Sequence, residues 1–281
     1  METLVPHRLS VLGHPQRLAV FRLLIRRYPD RVPATELAQA LALKPNTLSN
    51  YVGALLQADL LTQERLGTSL RYAINMDVAR ETFDYLLLDC CRARPEICAF
   101  GAQSPEPQES KTMTRKYNVL FICTGNSARS IFAEAILRDV AGDRFVAHSA
   151  GSHPSTDLNP FAVDVLDQKG HDVSVLRAKH MAEYQGADAP RFDFVFTVCD
   201  QAANEECPSW PGQPVTAHWG LPDPVKTTGT DAEKSLAFHQ TYGAMRHRII
   251  AFTSLPFATL ERIALQKAID DIGQNHEGAS T

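Results

Sequence analysis

The feature that most constrains the fold is the segment VLFICTGNSARSIFAEAIL, residues 119–137. An apolar run ending in Cys123 leads into a turn of small and polar residues and then into a helical pattern. The later runs FVAHS, FDFVFTV and PVTAHW are separated by helical stretches such as NPFAVDVLDQKG. Strands that alternate with helices predict a parallel sheet with helices on both faces. Such sheets bind ligands beyond the carboxyl ends of their strands, where Cys123 lies.

The preceding hundred residues have a different pattern. Leu18, Phe21, Leu24 and Ile25 recur at helical spacing after Pro15, a favoured helix-start residue. Thr35 is placed to cap a short helix, ELAQALAL, and a second helix, TLSNYVGALL, follows Pro45. Two short strand-like runs around Gly67 and Thr68 predict a hairpin, and VARETFDYLLLDCC predicts a closing helix. This order predicts a mainly helical, winged helix-turn-helix domain.

A winged helix-turn-helix domain places its second helix in the major groove of DNA. The polar side of that helix and the wing supply the candidate DNA-binding residues: Asn46, Thr47, Ser49, Asn50, Tyr51, Arg65 and Arg71. Residues 1–100 carry 12 lysines and arginines against 10 acidic residues, and the remainder carries 16 against 22. The alternative is a helical domain whose polar face is simply solvated.

Length and composition indicate two domains. The chain has 281 residues, of which 44% are hydrophobic and 21% charged. The segment GAQSPEPQESKTMTRK has two prolines and no apolar periodicity, which predicts a linker. We therefore predict a DNA-binding domain at 1–100, a linker at 101–116 and an α/β domain at 117–273. The sequence shows neither an apolar run as long as a membrane span nor a signal peptide, so we expect a cytoplasmic protein without membrane contact.

The turn after Cys123 predicts an oxyanion site. The predicted binding loop consists of Thr124, Gly125, Asn126, Ser127, Ala128, Arg129 and Ser130. Backbone N–H groups of such a loop converge on its centre, and the following helix adds positive potential. Arg129 offers a two-pronged donor for a tetrahedral oxyanion, and the same field is expected to lower the pKa of Cys123. The alternative is a buried cysteine at a strand end with no chemical role.

Residues 117–255 resemble the low-molecular-weight tyrosine phosphatase superfamily, which contains phosphatases and arsenate reductases. The resemblance implies that Cys123 is the nucleophile, that Arg129 binds the oxyanion and that Asp223, in LPDPV, is the general acid. It also implies that Asn126 and Ser130 orient the loop. Two further cysteines in TVCDQAANEECP, Cys199 and Cys207, favour a reductase.

Two other features favour the reductase branch of the superfamily. HWGLPDP is similar to the reductase version of the acid loop, and Val225 stands where a tyrosine phosphatase usually has an aromatic residue. The resemblance then implies a relay in which Cys123 forms a thiol–arsenate adduct, Cys199 attacks Cys123 and Cys207 attacks Cys199. No tightly bound cofactor is expected, and the external reductant is thioredoxin or glutathione with glutaredoxin.

Residues 8–75 resemble ArsR-type repressors in the LGHPQRL entry, ELAQAL, the TLSNYVGALLQADLL helix and the RLGTSLRYAI wing. This implies a homodimer, formed through the N-terminal domain, on operator DNA. The usual cysteine signature of the family is absent from the helix before the turn, but Cys90, Cys91 and Cys98 follow the wing. Three thiolates suit a soft ion such as arsenite, the predicted inducer. The alternative is that Cys90 or Cys91 is a small buried residue in the dimer interface.

The sequence thus predicts an arsenic-responsive repressor fused to a thiol-dependent arsenate reductase. Two alternatives remain open. One is a DNA-binding regulator whose second domain is a catalytically silent oxyanion sensor. The other is a tyrosine phosphatase fused to a DNA-binding domain.

Overall fold

The chain forms two compact units, Met1–Lys111 and Thr112–Thr281. The computed structural model describes residues 4–90, 115–186, 188–205, 210–257 and 259–274. Within these ranges, no helix combines the length and the apolar character needed to cross a bilayer. The predicted linker, 101–116, lies almost entirely outside the described residues, so the domain boundaries stay a prediction.

The N-terminal unit is a helix-turn-helix followed by a hairpin. Its described elements are α1 (Leu4–Leu12), α2 (Pro15–Arg26), β1 (Val32–Pro33), α3 (Ala34–Ala40), α4 (Pro45–Gln57), β2 (Leu61–Leu66), β3 (Ser69–Ile74) and α5 (Met76–Asp84). A π-helical turn, Tyr85–Cys90, follows α5. The strands form an antiparallel sheet in the order β1-β3-β2, and Leu66 pairs with Ser69 across the hairpin turn. Gly67 in that turn has φ +61°, which glycine adopts without strain.

One detail of the sequence prediction for this unit is wrong. Thr35 does not cap α3, because the helix begins at Ala34, two residues before the predicted start at Glu36, and Pro33 occupies the cap position. Leu18 and Ile25 are each 40% exposed, whereas Val20, Leu23 and Leu24 are buried. The predicted helix is thus present as α2, and its core-facing side includes Val20, Phe21, Leu23 and Leu24.

The C-terminal unit is an α/β domain built on a parallel sheet. Its elements are β4 (Tyr117–Cys123), α6 (Arg129–Ala141), β5 (Phe145–Gly151), α7 (Pro160–Gln168), β6 (Phe194–Thr197), α8 (Asp200–Asn204), β7 (Val215–His218), α9 (Asp231–Thr253) and α10 (Arg262–Gln274). Short 3-10 helices occur at Met181–Tyr184 and Pro224–Lys226. All four strands are parallel, in the order β5-β4-β6-β7, which confirms the predicted fold class.

The central position of β4 explains its sequence. Val119 to Ile122 are at most 1% exposed, although successive side chains point to opposite faces of the sheet. Both faces are therefore covered, as expected for a parallel strand that reads as a continuous apolar run. The chain enters the sheet at β4, adds β5 on one side and then places β6 on the other. This reversal leaves a crevice at the carboxyl end of β4, which is where ligands bind in open α/β sheets.

Candidate active site

The sheet brings two cysteines to the same edge. Cys123 is the last residue of β4, and Cys199 follows β6, which is hydrogen-bonded to β4 up to the pair Ile122 and Thr197. The Val198 N–H donates to the Ile122 carbonyl at 2.8 Å, so the two strands stay paired to their ends. Thr124 Oγ1 lies 3.4 Å from Cys199 Sγ. The two thiols, which are 76 residues apart in the chain, therefore share one site.

The loop after Cys123 is held in shape by hydrogen bonds on its outer side. The carbonyls of Cys123, Thr124, Gly125 and Ser127 accept hydrogen bonds of 2.8–3.1 Å from N–H groups in the segment 152–159. With these carbonyls turned outward, the loop N–H groups are directed to the concave side, as an oxyanion site requires. A side chain at Gly151 would place Cβ 2.5 Å from the Thr124 carbonyl, so only glycine allows the neighbouring strand to approach this closely.

Asn126 is the structural centre of the loop. It is fully buried and has φ +44°, a left-handed conformation that asparagine tolerates better than most residues. Its Nδ2 donates to Ser130 Oγ at 2.9 Å and to Ser149 Oγ at 2.8 Å, and its Oδ1 accepts from the Lys179 N–H at 2.7 Å. The side chain thus joins the loop to α6, to β5 and to the segment after α7.

The Cys123 thiol lies at the bottom of this loop. Its Sγ is 2.8 Å from Ser130 Oγ and accepts the Asn126 N–H at 3.1 Å. The prediction of a lowered pKa is wrong: burial raises the pKa of Cys123, and the nearby Cys199 raises it further. Ser130, the Asn126 N–H and Arg129 each lower it, but they do not outweigh the loss of hydration.

Arg129 and Asp223 face each other across the mouth of the site. Arg129 begins α6, and its Nη2 lies 3.0 Å from Asp223 Oδ2. Its Nη1 donates to the Leu221 carbonyl at 2.9 Å. The guanidinium therefore connects the oxyanion loop to the loop after β7. Asp223 caps the 3-10 helix at Pro224–Lys226 by accepting the Val225 N–H at 3.2 Å.

A buried ion pair supports the loop from behind, and the sequence analysis missed it. Lys179 Nζ lies 2.9 Å from Glu134 Oε2, and both residues are at most 8% exposed. The same carboxylate oxygen accepts a short hydrogen bond from Ser149 Oγ. A chain of polar contacts thus runs from Cys123 through Ser130, Asn126 and Ser149 to this pair. The one sequence signal was an acidic residue among the apolar positions of α6.

The remaining predicted site residues are placed as follows. Cys199 is buried and caps α8 by accepting the Ala202 N–H at 3.4 Å, whereas Cys207 lies outside the described residues. Cys90 is exposed at the end of the π-helical turn, and Cys91 and Cys98 also lie outside the described residues. Exposure of Cys90 in the single chain is compatible both with a sensor role and with burial in a dimer interface, so both stay predictions.

The predicted DNA-binding residues lie on α4 and the wing. Asn46, Ser49 and Asn50 are exposed on α4, while Thr47 and Tyr51 are half-buried. The Tyr51 ring packs against His14, with centroids 5.0 Å apart. Arg65 is exposed on β2. Arg71 is partly buried on β3, and its Nε is buried without a hydrogen-bond partner among the described residues.

Comparison with known proteins agrees with this architecture. Residues 118–264, slightly more than half of the chain, match the model of the low molecular weight phosphotyrosine protein phosphatase family. The chain therefore belongs to that family. Residues 12–64 match the model of a helix-turn-helix domain, so a domain of a second type precedes the phosphatase-like one.

Individual relatives cover the C-terminal half. An arsenate reductase from Halalkalibacterium halodurans is 35% identical over 134 residues, which are 48% of this chain and 93% of the relative. One from Bacillus subtilis is 33% identical over 135 residues, with the same two shares. Among solved structures, a thioredoxin-dependent arsenate reductase from Corynebacterium glutamicum is 21% identical with a TM-score of 0.35, covering 76% of this chain and 90% of its own.

We predict that Lys179→Met destabilises the domain by about 3–5 kcal/mol, because it leaves the buried Glu134 carboxylate without its cation. Glu134→Gln combined with Lys179→Met should recover much of this loss. Arg177→Met is the matched control, since its pair with Glu183 is exposed and such pairs contribute about 0–1 kcal/mol. Urea unfolding of the four proteins measures the differences. Equal losses for Lys179→Met and Arg177→Met would contradict the role of the buried pair.

We predict that Ser130→Ala raises the pKa of Cys123 above its wild-type value, because the hydroxyl is the strongest of the groups that lower it. A hydrogen bond to a charged group contributes about 1.5–3 kcal/mol, so alkylation of Cys123 at neutral pH should slow by about tenfold or more. The measurement is the pH dependence of iodoacetamide labelling of Cys123, followed by peptide mass spectrometry. Cys90 in the same sample is the internal control, and a parallel change at Cys90 would argue against a local effect.

Proposed function

We propose that this chain is an arsenic-responsive transcriptional repressor whose C-terminal domain reduces arsenate to arsenite. The observation that carries the proposal is the second buried thiol, Cys199, beside the oxyanion loop of Cys123. A phosphatase needs only the loop, Arg129 and Asp223. A reductase also needs a second thiol that can form a disulfide with the nucleophilic cysteine. The curated relatives named arsenate reductase support the same choice.

The first step forms a bond between sulfur and arsenic. Arsenate lies in the loop 124–130 with its oxygens on the loop N–H groups and on Arg129, whose two donors match an oxyanion. The Cys123 thiolate attacks arsenic, and one arsenate oxygen leaves as water after Asp223 supplies a proton. The carboxylate of Asp223 lies 3.0 Å from Arg129, which places it beside the oxyanion that the guanidinium would bind.

The second step transfers the electrons. The Cys199 thiolate attacks Cys123 Sγ, so that a disulfide forms while the sulfur–arsenic bond breaks. The two bonding electrons pass to arsenic, which leaves as arsenite. Cys207 then attacks Cys199, which frees Cys123 and leaves a Cys199–Cys207 disulfide. An external dithiol, thioredoxin or glutathione with glutaredoxin, reduces that disulfide, and no tightly bound cofactor is required.

The N-terminal domain supplies the regulatory half of the proposal. The polar side chains of α4 and Arg65 on the wing are exposed and would contact bases and phosphates in this proposal. A homodimer would place two such helices on an inverted-repeat operator. Cys90, with Cys91 and Cys98, would bind arsenite, because soft thiolates favour a soft ion. The reductase therefore makes the ligand that the repressor senses.

The enzymatic half is tested by turnover of arsenate with thioredoxin or with glutathione and glutaredoxin, beside hydrolysis of p-nitrophenyl phosphate. Cys123→Ser should lose all reduction. Cys207→Ser should still release one arsenite per chain in a single turnover but stop in the steady state, because its disulfide stays on Cys123. Phosphate hydrolysis without arsenate reduction would identify a phosphatase, and neither activity would identify a silent sensor. Unchanged steady-state turnover in Cys207→Ser would contradict the relay.

The regulatory half predicts that arsenite, and not arsenate, releases the protein from DNA. Arsenate should act only when Cys123 and a thiol reductant are both present. Fluorescence anisotropy on a DNA sequence selected by this protein from a random pool measures the release. Cys123→Ser should respond to arsenite but not to arsenate with reductant. A variant with Cys90→Ser and Cys91→Ser should be released neither by arsenite nor by arsenate with reductant. Release of this variant by arsenite would contradict the sensor assignment.

A further inference from the structure

The C-terminal helix α10, Arg262–Gln274, lies beyond most of the family match, which ends at residue 264. It packs against β7, the edge strand whose following loop carries Asp223. A helix that packs against an edge strand often does no more than cover the unpaired backbone groups of that strand. The contacts of α10 extend further, to His218 and Trp219 directly and to Gly220 through Arg248, in the segment that leads to Asp223.

The first contact is made by Trp219. This indole is fully buried and stacks on Phe196, with ring centroids 4.1 Å apart and planes 9° from parallel. Its Nε1–H donates to the Ile269 carbonyl of α10 at 3.0 Å. On the other side, the Trp219 N–H donates to the Thr197 carbonyl at 2.7 Å, which continues the pairing of β6 with β7. Trp219 is therefore fixed between the sheet and α10.

The second contact is made by Arg248 of α9, a buried side chain. Its Nη1 donates to the Trp219 carbonyl at 2.6 Å and to the Gly220 carbonyl at 3.0 Å. Its Nη2 donates to the Gly273 carbonyl of α10 at 3.2 Å. One guanidinium thus joins the last turn of α10 to the two residues that begin the acid loop.

The third contact is a close approach of two backbones. A Cβ at Gly273 would lie 2.6 Å from the His218 carbonyl and 3.0 Å from Trp219 Cδ1. Farther along, Gln266 Nε2 donates to the Thr216 carbonyl at 2.8 Å. At Gly273, α10 therefore lies so close to the end of β7 and to the start of the acid loop that only glycine fits.

We propose that α10 is a positioning element for the general acid, holding the segment Trp219–Leu221 so that Asp223 stands opposite Arg129. This inference rests on the proposed function, in which Asp223 supplies the proton. Leu221 links this segment to the oxyanion loop and to the sheet. Its carbonyl accepts a hydrogen bond from Arg129, and its N–H donates to the Val198 carbonyl at 3.4 Å. A displacement at Trp219 would reach Asp223 within four residues.

Gly273→Ala tests the inference, because the added methyl group meets backbone that α10 must move away from. Gly243→Ala in α9 is the matched control, since a Cβ there would meet no heavy atom within 4 Å beyond its chain neighbours and the backbone of its own helix. In Gly273→Ala we expect kcat for arsenate to fall about tenfold, part of the 10²–10⁴-fold contribution of a general acid, with KM within about twofold. Gly243→Ala should match wild type in both constants.

A double-mutant cycle separates positioning from general damage. If α10 acts through Asp223, Gly273→Ala should lower the single-turnover rate of Asp223→Asn by less than about twofold. The same tenfold loss in both backgrounds would overturn the proposal, as would an unchanged kcat in Gly273→Ala alone. If Gly273→Ala does not fold, Gln266→Ala takes its place in the cycle, with a smaller loss but the same dependence on Asp223.

Hydrogen exchange makes the inference testable without activity. The amides of Trp219 and Leu221 should exchange faster in Gly273→Ala than in wild type and in Gly243→Ala. Unchanged exchange at these two amides would overturn the proposal. Failure of the wild-type protein to reduce arsenate would refute the proposed function instead, and the exchange result would still report whether α10 holds the loop.

Discussion

The parallel pairing of β4 with β5 on one side and β6 on the other is the constraint on which the site depends. Because the carboxyl ends of parallel strands meet at one edge, this pairing alone brings Cys123, Cys199 and the loop anchored beside Gly151 together. The same pairing lets the segment 152–159 take up the outward carbonyls of the oxyanion loop. The sheet thus imposes a geometry that the loop 124–130 could not hold in isolation.

Burial at this edge has an electrostatic cost that the loop only partly offsets. Removing Cys123 from water raises the pKa of its thiol, although a hydroxyl, a backbone N–H and a guanidinium all favour the thiolate. The polar contacts behind the loop hold these hydrogen-bond donors in place. Glu134 and Lys179 compensate each other's charge, and their partners Ser149 and Asn126 leave the network hydrogen-bonded from end to end.

Much of this could be predicted from the sequence, because strands, hairpin and oxyanion loop have local signals. The apolar run before Cys123, the turn at Gly67 and the spacing of Cys123 and Arg129 each reflect backbone or charge requirements within a few residues. The errors concern quantities set by the tertiary environment. Thr35 lost its capping role because the helix begins two residues before the predicted start, and the thiol pKa depends on a desolvation that spacing does not encode. The partnership of Glu134 and Lys179 joins residues 45 positions apart and has no local pattern.

The position of the loop that carries Asp223 also depends on the tertiary environment and not on local sequence. Asp223 follows an edge strand, which has a hydrogen-bonded neighbour, β6, on one side only. A loop at such an edge needs support from outside the sheet if its carboxylate is to stay opposite Arg129. In this chain the support comes from three separate places in the sequence: Phe196 under the indole of Trp219, Arg248 on α9 and the last turn of α10. The resemblance points to Asp223 as the candidate acid by its Asp-Pro pair, but the side chains around its loop can be found only in the folded structure.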